Sequence, residues 1–147
     1  VEDDVNYLQR VAYWEYGFHL MNEYPVLGIG YYNWLDYVAY KVPEGSGPRG
    51  MGELPHNLFI QIGAEAGYIG LLLFLSMVFF IFRLNASTRV AAKVCKNDFL
   101  YFISYGLDAG CLGYLVAGFF VTVFYYPFFW VQMALSVAVY SIAKKCS

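Results

Sequence analysis

Three long stretches of this chain are nearly free of charge. Ala66–Phe82 carries no charged residue, Phe99–Phe124 carries only Asp108, and Phe128–Ala143 carries none. Each approaches or exceeds the roughly 20 residues that a helix needs to cross the hydrocarbon core of a bilayer. The pattern predicts three spans. Residues 83–98, with Arg83, Arg89, Lys93 and Lys96, read as a basic loop between the first two. Tyr125-Tyr126-Pro127 reads as a tight turn at an aromatic interface, and residues 144–147, with Lys144-Lys145, as a short tail. Upstream the pattern changes. Val11, Trp14, Phe18 and Met21 recur at helical spacing and predict an amphipathic helix over 5–22, which Pro25 ends.

Val26–Trp34 is aromatic and punctuated by glycine; it either lies flat on a membrane surface or starts a short helix. Residues 41–55 hold Pro43, Gly45, Ser46, Gly47, Pro48, Gly50 and Gly52, which leaves little room for regular structure. This loop is a lid over a site or a plain surface connector. From Asn57 the chain is helical again, with Asn57, Gln61 and Glu65 four residues apart on one face. Together these elements predict an all-α membrane fold, a polytopic helical bundle fragment with about three transmembrane helices. Residues 1–65 form an amphipathic, partly helical region outside the bilayer.

Composition supports that reading. The 147 residues are 60% hydrophobic, 21% aromatic and 14% charged, too apolar for an ordinary soluble domain. A net charge of −2 gives no footprint for nucleic acid. Charge also orients the chain. Before residue 65 there are eight Asp/Glu and three Lys/Arg, whereas 83–98 holds four Lys/Arg and one Asp. Basic loops stay cytoplasmic. Residues 83–98 and the tail therefore face the cytoplasm, and 1–65 the opposite side, the periplasm in a Gram-negative cell. Cys95, Cys111 and Cys146 lack metal-ligand spacing and are expected as free thiols. Asp108, an acid within a span, is expected to be neutral or paired. His19, without a partner motif, reads as structural.

The chemistry concentrates at Pro55–Gly70, PHNLFIQIGAEAGYIG. An imidazole, His56, stands where the chain passes from a polar loop into an apolar helix. Its ordinary pKa is about 6.5, which suits a general base near neutral pH. Arg10, Arg49 and Lys41 are the cations available to an anionic substrate, arginine's planar fork matching phosphate oxygens. Asn57, Gln61 and Glu65 are placed to support the site or to pack between helices. Gly63-x3-Gly67 and Gly106-x3-Gly110 suit close helix packing, with Gly70 one turn beyond. No phosphate loop, dinucleotide fingerprint or metal-ligand cluster is present.

His56-Asn57, nine residues, then Gly67-x-x-Gly70 resembles the signature of the O-antigen ligase superfamily. Upstream, Arg10 and Trp14 resemble its R-x3-W, and Pro25, Leu27, Gly28 and Gly30 its P-[LV]-x-G-x-G. The resemblance is close over Arg10–Phe82 and looser through GYLVAGFFVTVFYYPFFW. It implies a multi-pass enzyme of the bacterial inner membrane with its catalytic loop on the periplasmic face. The implied reaction is metal-independent and needs no cofactor. It moves a glycan from a polyprenyl (undecaprenyl) diphosphate carrier to an acceptor such as lipid A-core. On that reading His56 is the base, Arg10, Arg49 and Lys41 contact the diphosphate, and Trp14 supports the site. O-antigen or exopolysaccharide polymerisation and transfer to a protein hydroxyl share the same architecture. A non-catalytic membrane subunit or a transporter fragment is the reading of another class. The chain is expected to be the C-terminal portion of a longer protein. Its partners would then be the glycan donor, a lipid or glycan acceptor, membrane lipids and the remaining N-terminal helices.

Overall fold

A computed structural model describes the backbone of residues 2–41 and 53–146, and side chains over 10–38 and 53–146. Arg49 lies outside the described residues, as does the Lys41 side chain. Among the described residues the regular structure is helical: α1 (Glu2–Glu23), α2 (Trp34–Lys41), α3 (Leu58–Val94), α4 (Asp98–Gly118) and α5 (Phe128–Cys146). Two of these, α3 and α4, are long and apolar enough to cross a membrane. The chain divides into two compact units, Val1–Leu73 with Gly118–Phe124, and Phe74–Ala117 with Tyr125–Ser147.

The first unit is built on α1, α2 and the first turns of α3. Tyr13, Leu20, Met21, Ile29, Trp34, Val38 and Ala64 form its buried core. The buried face of α1 runs through Tyr13, Gly17, Leu20 and Met21, a rotation from the predicted stripe that leaves Phe18 52% exposed. The cause is Gly17, whose missing side chain lets Ile60 and the Trp34 ring approach the helix. Pro25 follows the end of α1, as predicted.

Helix α3 is broken at Gly67 (φ 68, ψ −175), and the break is filled by Pro25–Gly30. Tyr68 N donates to Pro25 O at 2.8 Å instead of to its own helix. The freed carbonyls are taken in return: Ile29 N donates to Ala64 O and Gly30 N to Glu65 O, both at 2.9 Å. A helix interrupted in an apolar setting must find new partners for its backbone groups, and this loop supplies them. The approach is backbone on backbone. A Cβ at Gly67 would lie 2.5 Å from Val26 O, and one at Gly28 would meet Ala64 O at the same distance. Both glycines also hold positive φ. Gly28 and Gly67 are therefore the two sides of one contact.

In the second unit, α3 and α4 are joined by a turn at Cys95–Asn97. The helix runs on to Val94, where the charge pattern predicted a loop from Arg83. Leu84, Ala86, Ala91, Ala92 and the basic side chains are all strong helix formers, and charge alone does not stop a helix. Lys96 (φ 54) closes α3: its N–H donates to Lys93 O, and Asn97 N to Ala92 O. Asn97 Oδ1 then caps α4 by accepting from Leu100 N at 3.1 Å. Ala92, Leu100 and Ala143 pack together at this end. Phe129 of α5 stacks on Phe74 with ring centroids 4.9 Å apart.

Asp108 is paired. Asn85 Nδ2 donates to its Oδ1 at 2.8 Å and Arg89 Nη1 to its Oδ2 at 2.6 Å. Arg89 also lies over the Tyr105 ring, 4.5 Å from its centroid. Helix α4 ends at Gly118, short of the predicted Phe124. Residues 118–124 instead return to the first unit, where Leu58 sits 2.9 Å from a Cβ built at Gly118 and Phe59 stacks on Phe119 at 4.7 Å.

Candidate functional site

The segment that carries His56 is held by two tryptophans from different helices. Trp14 Nε1 on α1 donates to Pro55 O at 2.9 Å, and Trp34 Nε1 on α2 donates to Glu53 O at 3.1 Å. An indole has one N–H donor on a large apolar body, so it can fill a core and hold a carbonyl at once. Trp34 is wholly buried, and so is Pro55. Between these anchors and α3 stands His56, half-buried, with φ 49. A left-handed backbone at a residue with a side chain costs of order 1 kcal/mol and survives only where its surroundings over-determine it. Here the two indoles fix the chain before it and the helix cap fixes the chain after it.

Asn57 is that cap. Its Oδ1 accepts from Phe59 N at 3.0 Å and Ile60 N at 3.1 Å, and its own carbonyl accepts from Gln61 N. These two bonds occupy the Asn57 side-chain oxygen. Asn57 thus starts α3 directly after His56. Glu65 is 1% exposed and its Oε2 accepts from Tyr32 N at 3.2 Å, which fastens the end of the Pro25–Gly30 loop two turns along α3. Gln61 is fully buried, with neither amide atom paired among the described residues.

Arg10 is exposed and lies one turn before Trp14 on the same face of α1. The Trp14–Pro55 bond joins α1, one turn beyond Arg10, to the residue before His56. His19 pairs with Glu23 at 3.6 Å on the surface, apart from these contacts. Gly63 packs against the Met21 side chain, and Gly110 lies 3.4 Å from Gln132 Oε1 when a Cβ is built on it. Gly70 faces Ala66 of its own helix, and a Cβ at Gly106 would meet nothing within 4 Å. Among the described residues no three His, Cys, Asp or Glu side chains converge as metal ligands do.

Two participants escaped the sequence reading. Trp34 sits in a stretch read only as aromatic and interfacial. Tyr13 sits beside the predicted α1 stripe, and it is fully buried. Burial raises the Tyr13 phenol pKa, and the nearby Glu53 charge raises it further. The one available signal for Trp34 was its likeness to Trp14: both indoles hold carbonyls of the segment that leads into His56.

A histidine set at the head of a long apolar helix, with an arginine-bearing helix docked on the preceding residue, defines a class: all-helical proteins with a polar site at the mouth of a helix able to cross a membrane. The O-antigen ligase family profile matches residues 1–75, just over half of the chain, and includes every contact around His56 described above. The chain belongs to the O-antigen ligase family, a glycosyltransferase-type family of membrane proteins. No curated protein and no solved structure matches it.

Proposed function

We propose that this chain carries the catalytic part of an O-antigen ligase-type glycosyltransferase. Its donor is a glycan on a polyprenyl (undecaprenyl) diphosphate, and its acceptor is a hydroxyl such as one on lipid A-core. The site stands at the periplasmic face of the inner membrane, with α3, α4 and α5 as spans. The observation that carries the reading is the Trp14–Pro55 hydrogen bond. It joins the helix bearing the best anion-binding side chain to the residue before the best base.

In this reading His56 takes the proton of the attacking hydroxyl as its oxygen bonds to the anomeric carbon. The bond from that carbon to the diphosphate breaks, and the diphosphate leaves with the electron pair. Arg10 faces the charge that grows on the leaving oxygens, where a positioned cation is worth several kcal/mol. Arg49 and Lys41 are further candidates for that role. Phe59 and Phe119, stacked beside the start of α3, offer an apolar wall to the prenyl chain. Asp108 is held by Arg89 and Asn85, which supports a structural role for it over a place in a polar transport path.

The test is His56→Ala in the full-length protein, with carrier-linked glycan and glycosylated product both measured. Product should vanish while the carrier-linked glycan accumulates; wild-type product levels would overturn the proposal. Arg10→Lys keeps the charge and removes the fork. It should reduce turnover by about tenfold or more, one bidentate charged contact being worth ~1.5–3 kcal/mol. Unchanged turnover removes Arg10 from the diphosphate site.

A further inference from the structure

The turn that joins α3 to α4 gathers cations next to an exposed apolar strip. A recess of about 420 Å³ is lined by Ala92, Lys93, Lys96, Asp98 and Tyr101. A groove of about 450 Å³ follows along α4, lined by Asp98, Phe99, Phe102, Ile103 and Gly106. Asp98 lines both, so they meet at the start of α4. The recess has a mixed lining that includes both lysines and a carboxylate, whereas the groove is almost wholly apolar apart from Asp98. Gly106 keeps the groove open, because a side chain there would project into empty space.

Both lysines are exposed and belong to the recess. Lys93 Nζ sits 5.3 Å from the centroid of the Tyr101 ring, which holds its ammonium at the wall. Lys96 is fixed at the tip of the turn by its left-handed backbone and the bonds that close α3. Two lysines stand against one carboxylate, so the recess favours an anion. An anion alone does not account for the groove. Phe99 is 72% and Phe102 67% exposed, and they extend the site in the direction in which α4 becomes most apolar. A basic recess opening onto an apolar groove at the end of a membrane-crossing hairpin matches a molecule with an anionic head and an aliphatic tail.

We infer that this recess and groove hold one anionic glycerophospholipid. Its phosphate lies on Lys93 and Lys96 and the first part of one acyl chain runs past Phe99, Phe102 and Gly106. The inference needs α3 and α4 to enter the bilayer and is independent of the glycosyl-transfer chemistry at His56. Asp98 weakens the site and sets a sign: Asp98→Asn should tighten it.

The experiment is native mass spectrometry of the full chain in neutral detergent, with phosphatidylglycerol, phosphatidylcholine and inorganic phosphate added in separate arms. The wild-type chain should retain one phosphatidylglycerol in preference to phosphatidylcholine, and inorganic phosphate should not displace it. Lys93→Gln with Lys96→Gln should lower phosphatidylglycerol affinity ~30-fold, at about fivefold per lysine. Lys144→Gln with Lys145→Gln should change it less than threefold. Gly106→Leu, which fills the groove and leaves the cations in place, should weaken retention of the same lipid. Equal retention of both lipids would overturn the inference. So would displacement by inorganic phosphate, an unaffected double lysine variant, or tighter binding after Gly106→Leu.

Discussion

Replacing Gly67 with alanine probes the contact that fixes the head of α3. A methyl group there would stand 2.5 Å from Val26 O, 2.6 Å from Val26 C and 2.9 Å from Gly28 N. All three are main-chain atoms, so no side chain can rotate away and the Pro25–Gly30 loop must retreat. The backbone at 67 (φ 68, ψ −175) lies in a region that essentially only glycine occupies, which adds ~1–3 kcal/mol of strain. Retreat of the loop loosens the bonds from Ile29, Gly30 and Tyr68, each worth about 1 kcal/mol net. Partial relaxation puts the total at roughly 2–5 kcal/mol. The comparison variant is Gly113→Ala, where a Cβ meets nothing within 4 Å. In the interior of α4 that change should be neutral or stabilising by up to about 1 kcal/mol. Reversible unfolding in mixed micelles, followed by circular dichroism, reads both. A Gly67→Ala protein within about 0.5 kcal/mol of wild type, well below the strain figure alone, would refute the reasoning, because the break would then not depend on the backbone contact.

Trp14→Phe keeps most of the apolar body and removes one hydrogen bond, leaving Pro55 O without its donor. Loss of about 1 kcal/mol in positioning the His56 segment should cut turnover about fivefold with the global fold intact, as read by product formation alongside circular dichroism. Asp108→Asn leaves Arg89 opposite an amide in a mostly buried setting and should destabilise by ~1–3 kcal/mol. The double change with Arg89→Met should recover part of the loss in the same unfolding assay. Cys95 Sγ donates to Ala143 O at 3.8 Å, and its neighbour Cys146, with a smaller contribution from desolvation, pushes the Cys95 thiol up to about 11. At pH 8 Cys95 should therefore alkylate with iodoacetamide far more slowly than a free thiol, its rate climbing until about pH 11. Cys146→Ala should lower the Cys95 pKa and speed that reaction at pH 8, checked by peptide mass spectrometry.

Long apolar runs are legible because the criterion is additive along the sequence: α3 and α4 follow from Ala66–Phe82 and Phe99–Phe124 with no knowledge of packing. Their ends are less so. Helix α3 continues through Arg83, Arg89 and Lys93 because hydropathy reports where a membrane could be, and helix propensity reports something else. The buried face of α1 lies a partial turn from its hydrophobic stripe because Gly17, silent in any hydrophobic pattern, decides which side its neighbours can approach. At the site, His56 and Asn57 were visible as a motif, but their division of labour was not. Which of two adjacent polar residues caps a helix depends on backbone angles that the sequence does not state. Most hidden was the meaning of Gly28 and Gly67, far apart in the chain and informative only when seen touching. Trp34 is hidden for a related reason, since the Glu53 carbonyl it holds has no identity in sequence.

The Arg89–Asp108 pair bears on how the protein reaches the membrane. Each of these residues alone would oppose insertion of its helix at roughly 2.5–3.5 kcal/mol if carried to the bilayer centre. Joined by the short turn at Cys95–Asn97, they meet as soon as the second helix forms and offset each other's charge. If α3 and α4 cross the bilayer, insertion of this segment is therefore more favourable as a two-helix unit than helix by helix. A chain truncated after residue 97 should release α3 into lipid poorly, although its hydrophobic run is complete.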